Sequence, residues 1–209
     1  MGALFALHLS ACGADHRDSD TPLAAMPGTD SSELRTLTIT KVKKPWYAWK
    51  GLVVGRMRES LPEYSSIQGL RHKYYTFTDD HRYLGGIYFW DSPNSAKKQF
   101  DEAWYARTEK KYGKRGVVLT FDIVGIRNHS LPSGKSKDMV SVLTYPKTST
   151  FNLDVSPGNP YQVVDLKDAE GRVCQLSLWA NREAAIAVLD ASKGDHEFFE
   201  VPIILNVGK

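Results

Sequence analysis

Asp79, Asp80 and His81 are adjacent residues whose side chains could together bind a metal ion. They lie between two runs of strand-type residues, where Asp and His side chains commonly support a tight turn. We therefore interpret them as a hairpin tip, and we predict neither a metal ion nor any other cofactor. No set of residues typical of hydrolysis, metal catalysis or nucleotide binding occurs in the sequence, so residue types alone do not name a substrate.

The composition indicates a folded chain that does not bind nucleic acid. Its 209 residues include 27 basic and 24 acidic ones, for a net charge of +3, without a basic stripe. Nucleic-acid-binding proteins are usually far more basic, and we therefore exclude that class of partner. Hydrophobic residues make up 42% and aromatic residues 11% of the chain, which is enough for a packed core. The length allows one large domain or two small ones.

The first twelve residues resemble a bacterial lipoprotein signal. A short apolar run ends in Leu-Ser-Ala-Cys at Cys12, the pattern in which a signal peptidase cleaves before an acylated cysteine. The resemblance implies that Cys12 carries the lipid, that residues 13–33 form a flexible tether, and that the protein is anchored in the bacterial cell envelope. Because Gly13 rather than Asp follows the cysteine, it implies the outer membrane and a domain that faces the periplasm.

The alternative is an apolar N-terminus with an incidental cysteine. No Lys or Arg precedes the apolar run, which departs from the signal pattern. The run is also too short to span a bilayer, which needs about 20 residues. If Cys12 is acylated, Cys174 is the remaining thiol, and we expect it to be a small buried side chain in a strand.

Strand and helix patterns alternate from Leu34 onward. Period-two alternation predicts a strand over Leu34–Val42. Two extended runs on either side of a turn predict a β-hairpin of Leu70–Phe77 and Leu84–Trp90, and a fourth strand is expected over Val117–Ile126. Spacings of three and four predict an amphipathic helix over Trp46–Leu61, with Trp46, Trp49, Val53 and Met57 on one face. A second helix is expected between Ser92, as N-cap, and Gly113. The order strand, helix, strand, strand, helix, strand is that of a ferredoxin-like domain.

The same order of elements restarts in the second half of the chain. An ungapped shift of 89 residues places Asp79 on Asp168 and Trp90 on Trp179, and at the last strand the shift becomes 78. The second copy therefore lacks eleven residues, 89 minus 78, in its second helix. Its first helix is expected to be replaced by a loop. A chance match between two hairpins is the alternative to a repeat.

Three segments of the first half resemble the YdhR-like family of monooxygenases in the dimeric α/β-barrel superfamily. They are Gly69-Leu70 with Lys73, LGGIYFWDSPNSAKKQF at Leu84–Phe100, and FDIV at Phe121–Val124. GRVCQLSLWANREAA in the second half resembles the family more faintly. The resemblance covers about Leu34–Asn206 and rests on structural rather than catalytic residues. In this superfamily two ferredoxin-like sheets, usually from two chains, pack face to face into a barrel.

We therefore predict an α+β fold in which two tandem ferredoxin-like repeats pair their antiparallel sheets into an intramolecular α/β barrel. The first repeat is expected over residues 34–130 and the second over residues 138–209, with a linker at residues 131–137. The predicted strands are apolar on both faces, so a lone sheet would expose a large apolar patch. The chain is then expected to be a monomer that contains an internal pseudo-dimer.

The resemblance also implies a site between the helices and the sheet, where superfamily members bind flat, apolar molecules. The cofactor-free monooxygenases among them let a deprotonated aromatic substrate react directly with oxygen. Candidate walls in the first repeat are Trp46, Trp49, Tyr74, Tyr88, Trp90 and Trp104. His72 is a candidate base or an ordinary strand histidine, and Asn128 and His129 are further polar candidates. Each aromatic residue could equally belong to the core.

Two functions remain open at this point. One is a cofactor-independent, monooxygenase-like lipoprotein that acts on or binds a small apolar or aromatic molecule. The other is a non-catalytic ligand-binding or envelope-interaction lipoprotein that reuses the barrel. A closed cavity of about 300 Å³ or more beneath Trp46, Trp49 and Trp104 would favour catalysis. A helix layer packed solid on the sheet would favour the alternative.

Overall fold

Eight strands and five helices make up the part of the chain that the structure describes. This computed structural model describes residues 33–128, 138–147, 152–153, 155, 159–189 and 194–207. The strands are β1 (Thr36–Lys43), β2 (Leu70–Thr78), β3 (Tyr83–Trp90), β4 (Val117–Asn128), β5 (Val140–Pro146), β6 (Gln162–Asp168), β7 (Val173–Trp179) and β8 (Gly194–Asn206). The helices are α1 (Lys50–Glu59), α2 (Leu61–Ser65), α3 (Pro93–Gln99), α4 (Glu102–Tyr112) and α5 (Arg182–Leu189).

The strands form one closed, antiparallel barrel in the order β1-β3-β2-β8-β5-β7-β6-β4. The predicted α+β barrel is thereby confirmed. The first four strands occupy the consecutive positions β4-β1-β3-β2, and the last four occupy β8-β5-β7-β6. Two seams join these groups, one between β2 and β8 and the other between β4 and β6. Every barrel strand therefore has a partner on both sides.

The strand registers in the first group of four strands correspond to those in the second group. Trp90 lies opposite the first residue of β1, and Trp179 lies opposite the first residue of β5. Both indoles are fully buried, and each donates its N–H to a hydroxyl, that of Thr38 or of Ser177. An offset of 89 therefore relates β3 to β7.

The ungapped shift of 89 is wrong by one residue for β2 and β6. Phe77 pairs with Leu84, seven positions later, whereas Lys167 pairs with Val173, six positions later. The second hairpin turn is thus one residue shorter, and β6 follows β2 at an offset of 90. Asp168 consequently matches Thr78 in register, not Asp79.

The barrel interior is a continuous apolar cluster with contributions from all eight strands. Leu37 and Ile39 of β1 point into it, as the alternation predicted, while the threonines of β1 are buried on the opposite face under the helices. Its fully or nearly fully buried members include Tyr74, Ile87, Phe89, Phe121, Leu143, Val164, Leu166, Cys174, Leu176, Leu178, Phe199 and Val201. Cys174 is therefore the small buried strand residue that was expected.

Three smaller clusters lie on the outer face of the sheet under the helices. Val53 and Met57 of α1 pack on Tyr75 and Phe77. Beneath α3 and α4 an aromatic layer contains Tyr88, Trp90, Phe100 and Trp104. α5 covers the equivalent region of the second half around Trp179. Between β5 and β6 the described residues contain no helix, and α5 has eight residues where the first half has α3 and α4.

The predicted first helix is wrong at its start. α1 begins at Lys50, because Pro45–Ala48 form a turn closed by a hydrogen bond from the Ala48 N–H to the Pro45 carbonyl. Trp49 is the N-cap in an extended conformation, and Trp46 lies in the turn. Both indoles are exposed rather than packed with Val53 and Met57. The apolar residues spaced by three and four therefore begin before the helix, and only Val53 and Met57 lie within it.

The second predicted helix is two helices. Ser92 caps α3 as expected, since its side chain accepts a hydrogen bond from the Ser95 N–H. The chain leaves the helical conformation at Phe100, and Asp101 caps α4 by accepting from the Trp104 N–H at 2.8 Å. Gly113 ends α4 in the left-handed conformation, with φ of 70°, which favours glycine.

Several predictions concern residues outside the described ranges. They are the signal-like segment with Cys12, almost all of the tether, His129 and the linker at residues 131–137. No helix among the described residues has both the length and the apolar character needed to cross a bilayer.

Candidate functional site

Lys73 is a buried lysine on the face of β2 that α1 and α2 cover. Its side chain is 2% exposed, and it shares this face with Tyr75 and Phe77. Long cationic side chains are rarely buried so completely unless a carboxylate pairs with them. No ion pair to Lys73 occurs among the residues that the structure describes. On the outer face of the sheet, this amine is the group best suited to take part in acid–base chemistry.

Three tyrosine rings surround the Lys73 amine, and we call this arrangement the tyrosine cage. Nζ lies 2.9 Å from the ring centroid of Tyr64, 3.7 Å from that of Tyr75 and 4.8 Å from that of Tyr88. Tyr75 and Tyr88 come from neighbouring strands, and Tyr88 is the register partner of Lys73. Tyr64 comes from α2 and closes the cage from above. The electron-rich ring faces can stabilise an ammonium at this position, whereas the burial of the side chain disfavours one.

Backbone and hydroxyl contacts fix the shape of the cage. The hydroxyls of Tyr75 and Ser60 are hydrogen-bonded at 2.9 Å, which ties β2 to the junction of α1 and α2. Gly86 leaves room for the lysine stem, because a Cβ there would lie 3.1 Å from Lys73 Cε and 2.9 Å from Tyr88 Cε2. Gly86 of β3 is thus part of the site, although it contributes no functional group.

Burial controls the protonation of the cage. Desolvation lowers the pKa of Lys73 well below its ordinary value, and the weaker attraction of Glu63 opposes this shift. Burial raises the pKa of Tyr75 to about 12 and that of Tyr88 well above its ordinary value. The cage therefore combines neutral phenols with an amine that releases its proton readily. Such an amine can accept a proton from an acidic substrate and, once charged, stabilise the resulting anion.

His72, the predicted base, lies on the opposite face of β2 and points toward the barrel interior. Its Nδ1–H donates to Asn206 Oδ1 at 2.9 Å, and its ring meets Phe89 edge to face. Nε2 is buried without a hydrogen-bond partner. Burial lowers the pKa of His72, so the neutral ring is favoured. An unpaired imidazole nitrogen of this kind can accept a proton from a bound molecule.

Asn128 and His72 do not form one site. Asn128 is exposed at the end of β4, where it lies opposite Gln162 of β6. The asparagine that contacts His72 is Asn206, 134 positions further along the chain. His72 of β2 lies opposite Asn206 of β8 at one seam. At the other seam, Gln162 of β6 lies opposite Asn128 of β4 in the corresponding positions.

The six predicted wall residues lie in three separate places. Trp46 and Trp49 are on the surface, and Tyr74 is inside the barrel. Tyr88, Trp90 and Trp104 belong to the aromatic layer under α3 and α4. In that layer Trp90 stacks on Tyr88 at 5.9 Å, and Phe100 meets Trp104 edge to face at 5.1 Å. The rings of this layer therefore pack on one another.

The hairpin tip has structural partners for its charged residues. Both Asp79 carboxylate oxygens accept hydrogen bonds from Arg182, and Asp80 accepts from the backbone and side chain of Arg82. His81 has a positive φ of 53° and lies 3.7 Å from Glu200. An open groove of about 440 Å³ beside the tip is lined mostly by polar residues, Lys41 and Glu197 among them, and by Phe198. Within the described ranges no three His, Cys, Asp or Glu residues are placed to hold a metal ion.

The sequence of β2 contains a signal for the cage. Strict alternation along β2 places Lys73 on the same face as Tyr75 and Phe77, which are both apolar enough to be buried. A lysine in such a row is either at an edge or buried with aromatic partners. Tyr64 gave no comparable signal, because its helix is only five residues long.

Comparison with known proteins identifies the fold. No protein-family model and no curated protein matches the chain. Three solved structures resemble it over most of their length. An anthrone oxidase-like protein has 15% identity and a TM-score of 0.52, with 85% of this chain and 94% of that one covered. A proposed monooxygenase from Fusobacterium nucleatum has 10% identity and a TM-score of 0.55, covering 84% and 95%.

The third similar structure is a proposed monooxygenase from Lactobacillus acidophilus. It has 11% identity and a TM-score of 0.50, with 84% of this chain and 98% of that one covered. At such identities a shared fold is established and a shared activity is not. The chain has the α/β-barrel fold found in these monooxygenase-like proteins.

Proposed function

We propose that this chain is a monooxygenase-like protein that binds a small, flat, acidic aromatic molecule between α1–α2 and the sheet. The observation that carries the proposal is the buried Lys73 amine, which is enclosed by aromatic rings and has no carboxylate partner among the described residues. The shared fold with an anthrone oxidase-like protein supports the same class of chemistry. The substrate class is therefore a molecule with an activated methylene or phenol, such as an anthrone or a hydroquinone.

The cage supplies what cofactor-independent oxidation requires of a protein. The neutral Lys73 amine accepts the acidic proton of the substrate, and the ammonium then stabilises the carbanion or phenolate. The tyrosine walls limit the access of water to the amine. The substrate anion transfers its electrons directly to oxygen. For an activated methylene, one O2 converts CH2 to a carbonyl and yields one water, so no external reductant is needed.

Oxygen uptake with a panel of anthrones and hydroquinones tests this function. Lys73→Met is expected to slow uptake about a hundredfold or more, which is the usual contribution of a general base. Lys98→Met, at an exposed position of α3, is the matched control and is expected to keep the wild-type rate. Wild-type rates in a folded Lys73→Met protein would remove the cage from the mechanism. His72→Gln then tests the second buried base in the same assay.

A non-catalytic function is the second candidate, and the aromatic layer favours it. The ring-to-ring packing of Tyr88, Trp90, Phe100 and Trp104 is the solid helix layer expected of a barrel that is reused for binding or interaction. In that case the chain binds flat apolar molecules without turnover. We then expect an anthraquinone to quench the tryptophan emission saturably. We also expect no oxygen uptake in the presence of any substrate of the panel.

We also propose that the barrel consists of two tandem ferredoxin-like repeats and that the chain belongs to the YdhR-like family. The matched strand orders and seam registers support this origin: His72 and Asn206 at one seam correspond to Gln162 and Asn128 at the other. Because both sheets come from one chain, the protein is proposed to be a monomer. Sedimentation equilibrium is expected to give the mass of one chain, and an obligate dimer would contradict this.

The lipoprotein assignment is likewise a proposal. It rests on the Leu-Ser-Ala-Cys pattern that ends at Cys12. We propose acylation of Cys12 and anchoring in the outer membrane with the barrel in the periplasm. Fatty-acid labelling and membrane fractionation in a bacterial host are expected to show a labelled, membrane-bound protein. The Cys12→Ser variant is expected to lose the label, and equal labelling of both proteins would contradict the assignment.

A further inference from the structure

Four consecutive or near-consecutive apolar side chains form an exposed surface patch just before and within the first turn of α1. Trp46 is 93% exposed, Tyr47 67%, Trp49 69% and Leu52 43%. We call these four residues the aromatic surface patch. Among the described residues, the other large apolar side chains that are exposed are valines on strands, such as Val124 at 61%. Soluble surfaces rarely concentrate two tryptophans and a tyrosine within four residues without an interaction partner.

The local structure holds these rings outward. The turn before α1 is closed by its own backbone hydrogen bond and by Lys44 Nζ, which donates to the Ala48 carbonyl at 2.8 Å. Trp46 and Tyr47 meet edge to face at 5.9 Å. A Cβ at Gly51 would lie 2.0 Å from Trp49 Cζ3, so the absence of a side chain there lets the Trp49 ring lie against the helix. The exposed rings thus have defined positions on the surface.

The chain segment that contains the patch is basic. The segment from Lys43 to Arg58 contains three lysines and two arginines and no acidic residue. Lys50 and Arg56 form ion pairs with Glu200 and Glu59, whereas no ion pair of Lys43 or Arg58 occurs among the described residues. No side chain caps the N-terminus of α1, and its first turn contains no acidic group. This end of the helix therefore adds to the positive potential.

We propose that the aromatic surface patch docks the protein on an anionic lipid surface. Tryptophan and tyrosine prefer the headgroup region of a bilayer, where the ring is in apolar surroundings and the N–H or O–H remains hydrated. Basic residues near the bilayer add attraction to anionic headgroups. A protein partner is disfavoured because lysine is depleted from the cores of protein interfaces, while here lysines flank the tryptophans. The patch acts separately from acylation and from the tyrosine cage.

Vesicle flotation tests the proposal on the full chain with Cys12→Ser, so that no lipid anchor contributes. Binding is expected to vesicles that contain phosphatidylglycerol and to weaken with salt. Replacing both exposed tryptophans, Trp46→Ser with Trp49→Ser, is expected to lower the vesicle affinity about tenfold or more. Lys43→Gln and Arg58→Gln are each expected to lower it about fivefold, and only for anionic vesicles. Val124→Ser is the matched control for loss of an exposed apolar side chain.

Tryptophan emission provides a second measurement. Trp90 and Trp179 are fully buried and Trp104 nearly so, which leaves Trp46 and Trp49 as the indoles that contact water most. A blue shift on anionic vesicles that disappears in the double tryptophan variant supports docking. Equal flotation of the double variant and its parent would overturn the proposal. So would a parent that does not float but self-associates through the same tryptophans, because the patch would then bind a second copy.

Discussion

The Tyr74 hydroxyl of β2 donates a hydrogen bond of 2.7 Å to Gln162 Oε1 of β6, across the interior of the barrel. β2 and β6 are not neighbours in the sheet, and each belongs to a different group of four strands. Both side chains are buried, in surroundings that are otherwise mostly apolar. This bond therefore connects the two halves through the core, in addition to the backbone bonds at the two seams.

Loss of this bond should destabilise the whole barrel. Tyr74→Phe is expected to lower the free energy of unfolding by about 1–3 kcal/mol, because the buried Gln162 oxygen loses its donor. Urea denaturation measures the change. Tyr47→Phe removes an exposed hydroxyl and is expected to have almost no effect. If Tyr74→Phe unfolds at the same urea concentration as the wild type, the bond does not stabilise the core.

Acidification should lower the free energy of unfolding because His72 is buried. Its pKa is lowered in the folded chain, so between that value and the ordinary value of 6.5 the unfolded chain binds more protons. Stability is therefore complete above about pH 6.5 and falls as the pH drops through this window. His72→Gln is expected to flatten the pH dependence between about pH 7 and 5.

The control for this experiment is His81→Asn at the exposed hairpin tip. Asparagine tolerates the positive φ of this position, and the variant retains His72. It is expected to keep the wild-type slope. A His72→Gln protein with the wild-type slope would show that His72 does not cause the acid sensitivity.

Lys73 should make the free energy of unfolding depend on pH in the alkaline range, where stability again rises as the pH rises. Its lowered pKa means that the unfolded chain binds more protons between that value and about 10.5. The wild type is therefore expected to gain stability as the pH rises toward about 10.5, and Lys73→Met is expected to lose this gain. Thermal unfolding at several pH values measures it, with Lys98→Met as the variant that retains the cage. Parallel curves for wild type and Lys73→Met would contradict the lowered pKa.

Two glycines should respond to alanine in opposite directions. A Cβ at Gly85 would lie 1.8 Å from the Thr40 carbonyl oxygen, so Gly85→Ala is expected to cost about 3 kcal/mol or more through displaced backbone. Gly55 lies within α1 with nothing within 4 Å of its Cβ position. Gly55→Ala is therefore expected to stabilise the protein by about 0.5–1 kcal/mol. Melting temperatures that shift in the same direction for both would contradict this geometry.

The strands were predictable from sequence because they are short runs of apolar, aromatic and β-branched residues, buried on both faces and bounded by turn residues. Leu37 and Ile39 on one face of β1, and Trp90 at the end of β3, are where a period of two places them. Helix boundaries were less predictable, because a competing local bond decided them. The turn at Pro45–Ala48 removes Trp46 from the helix, and the Asp101 cap divides the second helix.

The candidate site depended on contacts that no local pattern encodes. Lys73 becomes a caged amine only because Tyr64 reaches it from α2. His72 has its polar partner in Asn206, from the opposite end of the folded chain. The one-residue difference between the hairpin turns also moved the match of Asp168 from Asp79 to Thr78, which an ungapped comparison cannot detect.

The position of β8 has a consequence for biosynthesis. This strand follows all the others in the chain, and it fills the gap between β2 and β5. Until β8 pairs, each of those strands presents an open edge of backbone donors and acceptors, to which other chains can add. A chain in which β8 has not yet paired is therefore prone to aggregation through these two edges.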